Sequence, residues 1–210
     1  MKTLPPSTTD DLSKAALYAT LIDQTAALIE DQRNWITNTA NVSALIYHAL
    51  RDRQVALGQR ASVNWVGVYV RDHAHRGAVP KLILGPFQGK IACTEIPFTK
   101  GVCGKAARDA QTQLVADVHA FPGHIACDSL TNSEVVVPIV LDNGYVIGVL
   151  DLDCEVENGF DEDDVRGLEA IVKLLVAGCD WPLPQTLPAP APSSGKSGIE
   201  IASIAAPVRV

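Results

Sequence analysis

The tract from Glu134 to Asp153 constrains the fold more than any other part of the chain. Val135–Leu141 and Tyr145–Asp153 are apolar runs of strand length, separated by Asp142-Asn143-Gly144. Asn-Gly accepts the positive φ that tight hairpin turns require, so the two runs are expected to pair antiparallel. The second run ends on Asp151 and Asp153, two positions apart and so on one face, with Tyr145, Ile147 and Val149. In the simple register the far ends of the hairpin meet, which brings Glu134 beside both aspartates. Three acids at the end of an apolar face would attract an ammonium, and crowding would hold one carboxyl neutral. The competing reading is a strand end reaching solvent, continued by the solvated run EVENGFDEDD.

Helical periodicity frames this hairpin. Leu17, Leu21 and Leu28 fall on one face of a first helix, with Asp10 and Asp11 as candidate caps. Val42, Leu45, Ile46, Ala49 and Leu50 recur at i, i+3, i+4, i+7 and i+8, after Asn41 as a possible cap. This stripe packs on a sheet or on a second copy of the chain. Val63–Val70 alternates, with Trp65, Gly67 and Tyr69 facing one way and Val66, Val68 and Val70 the other. Lys81–Leu84 and Phe87–Ala92 read as strands broken at Gly85-Pro86, Gly101–Ala110 as a short helix and Gln113–Val115 as a strand. Phe121–Ser133 reads as a long loop, and a last helix starts at Asp161 with Asp164 as the return partner of a capping box. The arrangement is an α+β fold, an antiparallel sheet with helices packed on one side. Residues 1–10 read as a disordered lead, 11–180 as the domain and 181–210 as a Pro-rich flexible tail with a strand-like end at Ile199–Ala205.

Charge narrows the function. Twenty-four acids against 17 basic residues give a net charge of −7, which argues against nucleic acid, whose non-specific binding runs on Lys and Arg. The longest apolar run, Val135–Leu141, is strand-sized and holds a proline, so no membrane span is expected. The opening MKTLPPSTTDD lacks a signal-type apolar segment, and the expected location is cytoplasmic. In that compartment the five cysteines, Cys93, Cys103, Cys127, Cys154 and Cys179, are thiols with chemistry more often than structural bridges.

Cys93, Cys103 and Cys127 each sit beside a loop signal, and none forms a CxxC. Cys103 follows Gly101 at a predicted helix start, where free N–H groups would stabilise a thiolate. The plain alternative is a set of small buried hydrophobes. A zinc site from His119, His124 and Cys127, completed by Cys93 or Cys103, matches no recurrent zinc module, and no metal is expected. Thiols with clustered acids suit reduction of a small ammonium-bearing substrate, a second thiol resolving the sulfenic acid as a disulfide.

The segments NWVGVY, GPFQGKIACTEIPFTKGVCGKAA, DVHAFPGHIACDSLTNSEVVVPI and GVLDLD before GFDEDDVRGLE resemble the free methionine-(R)-sulfoxide reductases, enzymes of the GAF fold. The resemblance runs from about Tyr18 to Leu175 and implies a central six-stranded antiparallel sheet. It implies Cys127 as the nucleophile on the sulfoxide sulfur, Cys93 as the resolving thiol and Cys103 as a third, auxiliary cysteine. Glu134, Asp151 and Asp153 match the acids that hold the substrate ammonium, and Trp65 and Tyr69 look like the pocket wall. No bound cofactor is implied; thioredoxin, fed by NADPH, is the transient reductant, and a homodimer is expected, with the 42–50 stripe as one candidate face. Ile91 and Thr99 stand where proline and glycine are commoner, and Cys154 and Cys179 carry no family role. The alternative function is a silent GAF module binding a small metabolite, against which the lack of an appended output segment weighs.

Overall fold

The computed structural model describes residues 12–75, 77–123 and 128–184. Six strands form one antiparallel sheet in the order β3-β2-β1-β6-β5-β4. They are β1 (Val63–Arg71), β2 (Lys81–Gly89), β3 (Glu95–Pro97), β4 (Gln113–Val115), β5 (Ser133–Val140) and β6 (Val146–Cys154). The helices are α1 (Lys14–Ile29), α2 (Trp35–Ala56), α3 (Gly101–Asp109) and α4 (Glu162–Gly178). The hairpin read from Asn143-Gly144 is β5–β6, with Gly144 at φ 79°. Its two strands are the centre of the molecule, because β6 also pairs with β1 along its length.

Alternation on these strands separates two cores. Val66, Val68 and Val70 of β1 join Val135, Val137, Leu150 and Leu152 on one face, under α1, α2 and α4. Trp65 and Tyr69 face the other way, with Val136, Val149 and the apolar side of α3. Helices on one side of the sheet therefore describes three of the four, while the short α3 lies on the opposite face among the site residues. Ile147 departs from simple alternation. Gly148 pairs with Ile139 but Val146 with Val140, so Ile147 is an extra residue on β6. The bulge turns Ile147 into the helix-side core, away from the face of Asp151 on which period two had placed it.

Other boundaries move for local reasons. The two strands read around Gly85-Pro86 are one, because Gly85 and Pro86 occupy a bulge opposite Val68, where a missing N–H breaks no ladder. β3 had no sequence signal; three residues suffice because β2 supplies all its pairing. Ser13 caps α1, its side chain accepting from Ala16 N, and Asp10 and Asp11 lie outside the described residues. Asn34 rather than Asn41 caps α2, so the helix starts seven residues earlier than expected. Of the 42–50 stripe, Val42, Ile46 and Leu50 are buried in the chain's own core, while Leu45 and Ala49 at its margin are only partly buried. Cys154 and Cys179 are buried free thiols in the same core.

The capping box of α4 forms as read, Asp161 accepting from Asp163 N and Asp164 N while Asp164 accepts from Asp161 N. Asp164 is 1% exposed, and it also pairs with Lys14 and accepts from Tyr18 Oη at 2.9 Å. One buried carboxylate thus ties α1 to the start of α4. Tyr18→Phe leaves that carboxylate oxygen short of a donor and is expected to cost about 2 kcal/mol in urea unfolding, without change in the slope.

Candidate active site

The β5–β6 register builds the site. Glu134 lies opposite Asp153 and Val136 opposite Asp151, so all three acids point to the α3 side. β1 completes the floor by setting Trp65 against Asp153 and Gly67 against Asp151. The Trp65 indole stacks between Tyr69 at 5.6 Å and Phe87 at 5.3 Å. It lies flat only because residue 67 is glycine: a Cβ there would stand 2.4 Å from the indole. Tyr69 donates its hydroxyl to Cys93 O at 3.1 Å, which fastens the segment after β2 to the sheet.

α3 and the loops form the roof. Gly104 lets α3 approach β3, since a Cβ would meet Pro97 O at 2.4 Å. Gly101 N donates to Gly123 O, joining the helix start to the first residues of the segment read as a long loop, Phe121–Ser133. The cavity is small, about 30 Å³, and partly open, and is lined by the acids, Trp65, Tyr69, Cys103, Ile91 and Ala92, with Asp128 and Thr131 at the loop side. Asn64, in a bulge of β1, donates to Asp128 Oδ2 at 3.3 Å and to Thr131 Oγ1 at 3.1 Å. Lys90 adds an ion pair to Asp128 at 3.7 Å. Asn64, Asp128 and Thr131 were not found by sequence reasoning. A polar residue inside the apolar run of β1 was the one available signal.

Burial dominates the electrostatics. Glu134 and Asp151 are each 6% exposed, and the described residues that line the cavity include no lysine, arginine or histidine. Burial first pushes the Asp151 carboxyl up to about 7, partly offset by hydrogen bonds from Cys103 and Glu134. Burial and then the charge of Asp151 push Glu134 and Asp153 well above the carboxylate range. Asp151 Oδ1 and Trp65 Nε1 are buried without a hydrogen-bond partner. Such unmet polar atoms are costly in a closed chain and mark a place where a ligand finishes the bonding.

Cys103 corrects an expectation. Its thiol is buried and donates to Glu134 Oε1 across 3.9 Å. Burial, followed by the charges of Asp151 and Glu134, raises its pKa well above the ordinary thiol value. The helix start does not make it a thiolate, because three carboxylates outweigh a half-charge dipole. Cys93 is disulfide-bonded, whereas Cys103 is free. His119 Nε2 pairs with Asn132 Oδ1 at 3.0 Å; His124 and Cys127 lie outside the described residues.

A family model for the GAF domain matches residues 39–177. The chain is 44% identical over 169 residues to the free methionine-R-sulfoxide reductase of Saccharomyces cerevisiae, covering 80% of this chain and 89% of that one. It is 42% identical to the Escherichia coli protein of the same name over 164 residues, 78% and 89% of the two chains. The structure superposes with a TM-score of 0.68 on free methionine-R-sulfoxide reductase from Neisseria meningitidis in complex with its substrate, at 40% identity over 84% of this chain and 95% of that one. The chain belongs to the GAF-domain family of free methionine-R-sulfoxide reductases. Within that family's fold, the cavity floor here is the sheet itself, which holds Glu134, Asp151 and Asp153 by strand register, while Asp128 lines the cavity from the loop side.

The raised carboxyls give the reductase fold a pH signature. A carboxyl near 4 when unfolded and near 7 when folded takes up a proton on folding. Its contribution to stability is complete below about pH 4 and is lost as pH rises through about 7. Asp151→Asn carries no charge and escapes this loss. Its stability relative to the native chain is expected to improve by on the order of 2–3 kcal/mol between pH 5 and pH 8, read from urea midpoints.

Proposed function

We propose that this chain reduces free methionine (R)-S-oxide to methionine through a cysteine relay in the cavity between β5, β6 and α3. The observation that carries the reading is the trio of Glu134, Asp151 and Asp153 on one face of the sheet, with one buried oxygen of Asp151 unpartnered. An α-ammonium supplies donors to that oxygen and a positive charge to the cluster. A peptide-bonded methionine offers a single neutral N–H in the same place and leaves the acids unpaired, at a cost of several kcal/mol. No helix among the described residues is long and apolar enough to cross a membrane, and the proposed location is the cytoplasm.

Cys127 is the proposed nucleophile. Its sulfur attacks the sulfoxide sulfur, the sulfoxide oxygen passes to Cys127 as a sulfenic acid, and methionine leaves with its sulfur reduced. A neutral carboxyl of the acid cluster is the proton source for the departing oxygen. Cys93 then attacks the sulfenic sulfur, water departs and a disulfide remains. The bonded state of Cys93 and its backbone anchor to Tyr69 favour this role, while the free, proton-bearing Cys103 suits an auxiliary one. Thioredoxin reduces the disulfide by thiol exchange and draws its electrons from NADPH. Trp65 and Tyr69 are the proposed wall around the substrate side chain. A homodimer is favoured by Leu28, Leu45 and Ala49, half-exposed on the outer faces of α1 and α2.

NADPH oxidation coupled through thioredoxin and its reductase tests the reading. Free methionine (R)-S-oxide is expected to turn over, with no rate on the N-acetylated sulfoxide. Cys127→Ser is expected to abolish turnover, and Glu134→Gln to raise KM by about tenfold or more. Tight binding of the sulfoxide without consumption would instead identify a silent binding module.

A further inference from the structure

A groove of about 980 Å³ runs between α4, the end of β5 and the connection from α3 to β4. Its walls are apolar, made by Val137, Leu141, Val165, Val172 and Val176. Leu141, Val165 and Val176 are only partly buried by their own neighbours. β4 ends opposite Val136, so among the described residues no strand covers Val137–Val140 on this side. An apolar concavity of this extent is a binding surface rather than ordinary exposed side chains. Asp142, Glu162, Glu169 and Lys173 also line it, an excess of acid over base.

We infer that residues Ile199–Ala205 of the same chain dock extended in this groove, with Ile199 and Ile201 packed against α4. The segment, IEIASIA, is the strand-like end singled out in the sequence; it lies outside the described residues and beyond residue 177, where the family match stops. Period two puts Ile199 and Ile201 on one side and Glu200 on the other, so one face is apolar as the groove wall is. Reach permits the contact. Trp181 is buried and its Nε1 donates to Leu175 O at 3.1 Å, so the chain leaves beside the last turn of α4, where Val176 and Ala177 line the groove. Residues 185–198 span up to about 46 Å when extended, whereas the 17 residues of α4 cover about 25 Å. Charge agrees as well: the side chains of residues 185–210 include Lys196 and Arg209 against Glu200, opposite in balance to the groove lining. A tethered segment meets the groove at an effective concentration of about millimolar order, which favours it over a second copy of the chain. Pro138, with no N–H to donate, weakens any ladder along this edge, so docking rests on side-chain packing.

NMR on the full chain tests the docking. Methyl NOEs are expected from Ile199 or Ile201 to Val137, Val172 or Val176, and backbone order parameters of residues 199–205 are expected near the ~0.85 of rigid backbone. Ile199→Asp/Ile201→Asp lies outside the described residues and leaves the core intact. It is expected to abolish those NOEs and to drop the order parameters of residues 199–205 below about 0.6. Val176→Asp, which places a charge in the groove wall, is expected to have the same effect on residues 199–205. Isotope-filtered NOEs in an equal mixture of labelled and unlabelled chains separate the two occupants. Contacts within one chain support the proposal, whereas contacts between chains assign the groove to a second copy and overturn it. Native order parameters below about 0.6 over residues 199–205, or NOEs that survive both variants, also overturn it.

Discussion

Three carboxylates share one dry pocket because the register of a single hairpin puts them there. Glu134 opposite Asp153, with Asp151 one pleat along, is fixed by ladder bonds and by the turn at Asn143-Gly144. A shift of one residue would turn the acids into the helix-side core and Leu150 and Leu152 into the pocket. The core and the site are therefore specified by the same pairing. The buried valines and leucines of β5 and β6 hold the register that holds the acids, and their hydrophobic burial offsets what the crowded carboxyls cost. That cost appears as raised pKa values and an unpartnered oxygen.

The sheet and the loops divide the chemistry. The proposed charge recognition sits on the floor, where strands fix positions tightly. Cys93 sits in the segment after β2, anchored at one point by the Tyr69 hydroxyl. A resolving thiol has to travel toward its partner and back during turnover, so placement outside the ladder suits it. Recognition has the opposite need, because an acid displaced by an ångström loses most of its selectivity for a charged nitrogen.

Legibility in the sequence followed the same division. Period two and the Asn-Gly turn were enough to bring Glu134 to the aspartates, and Asp161 with Asp164 announced the start of α4. Ile147 was misplaced because a bulge has no signature in alternation; it shows only when β5 and β6 are counted against each other. β3 was invisible because its stability comes wholly from β2, and the Gly85-Pro86 break vanished into a bulge that needs no N–H there. Cys103 was misjudged for a different reason. Helix position is local and readable, but the carboxylates that overrule it arrive from residues 134 and 151, through tertiary packing. Asn64, which reaches Asp128 and Thr131, depends on the same long-range closure.

Cavity size gives these parts a common logic. About 30 Å³ admits a few small particles but not an amino acid. In the proposed reading a substrate of amino-acid size has to displace roof rather than floor, and residues on the roof side are weakly held. Ile91 is 91% exposed and contributes little burial energy to the closed arrangement. Lys90 and Asp128 are joined by a partly solvated ion pair of the kind worth at most about 1 kcal/mol. Opening at these points costs little, whereas the acids beneath them stay in register throughout. In the proposed reading, closing over a bound ammonium would return the acids to a shielded environment with their charge met.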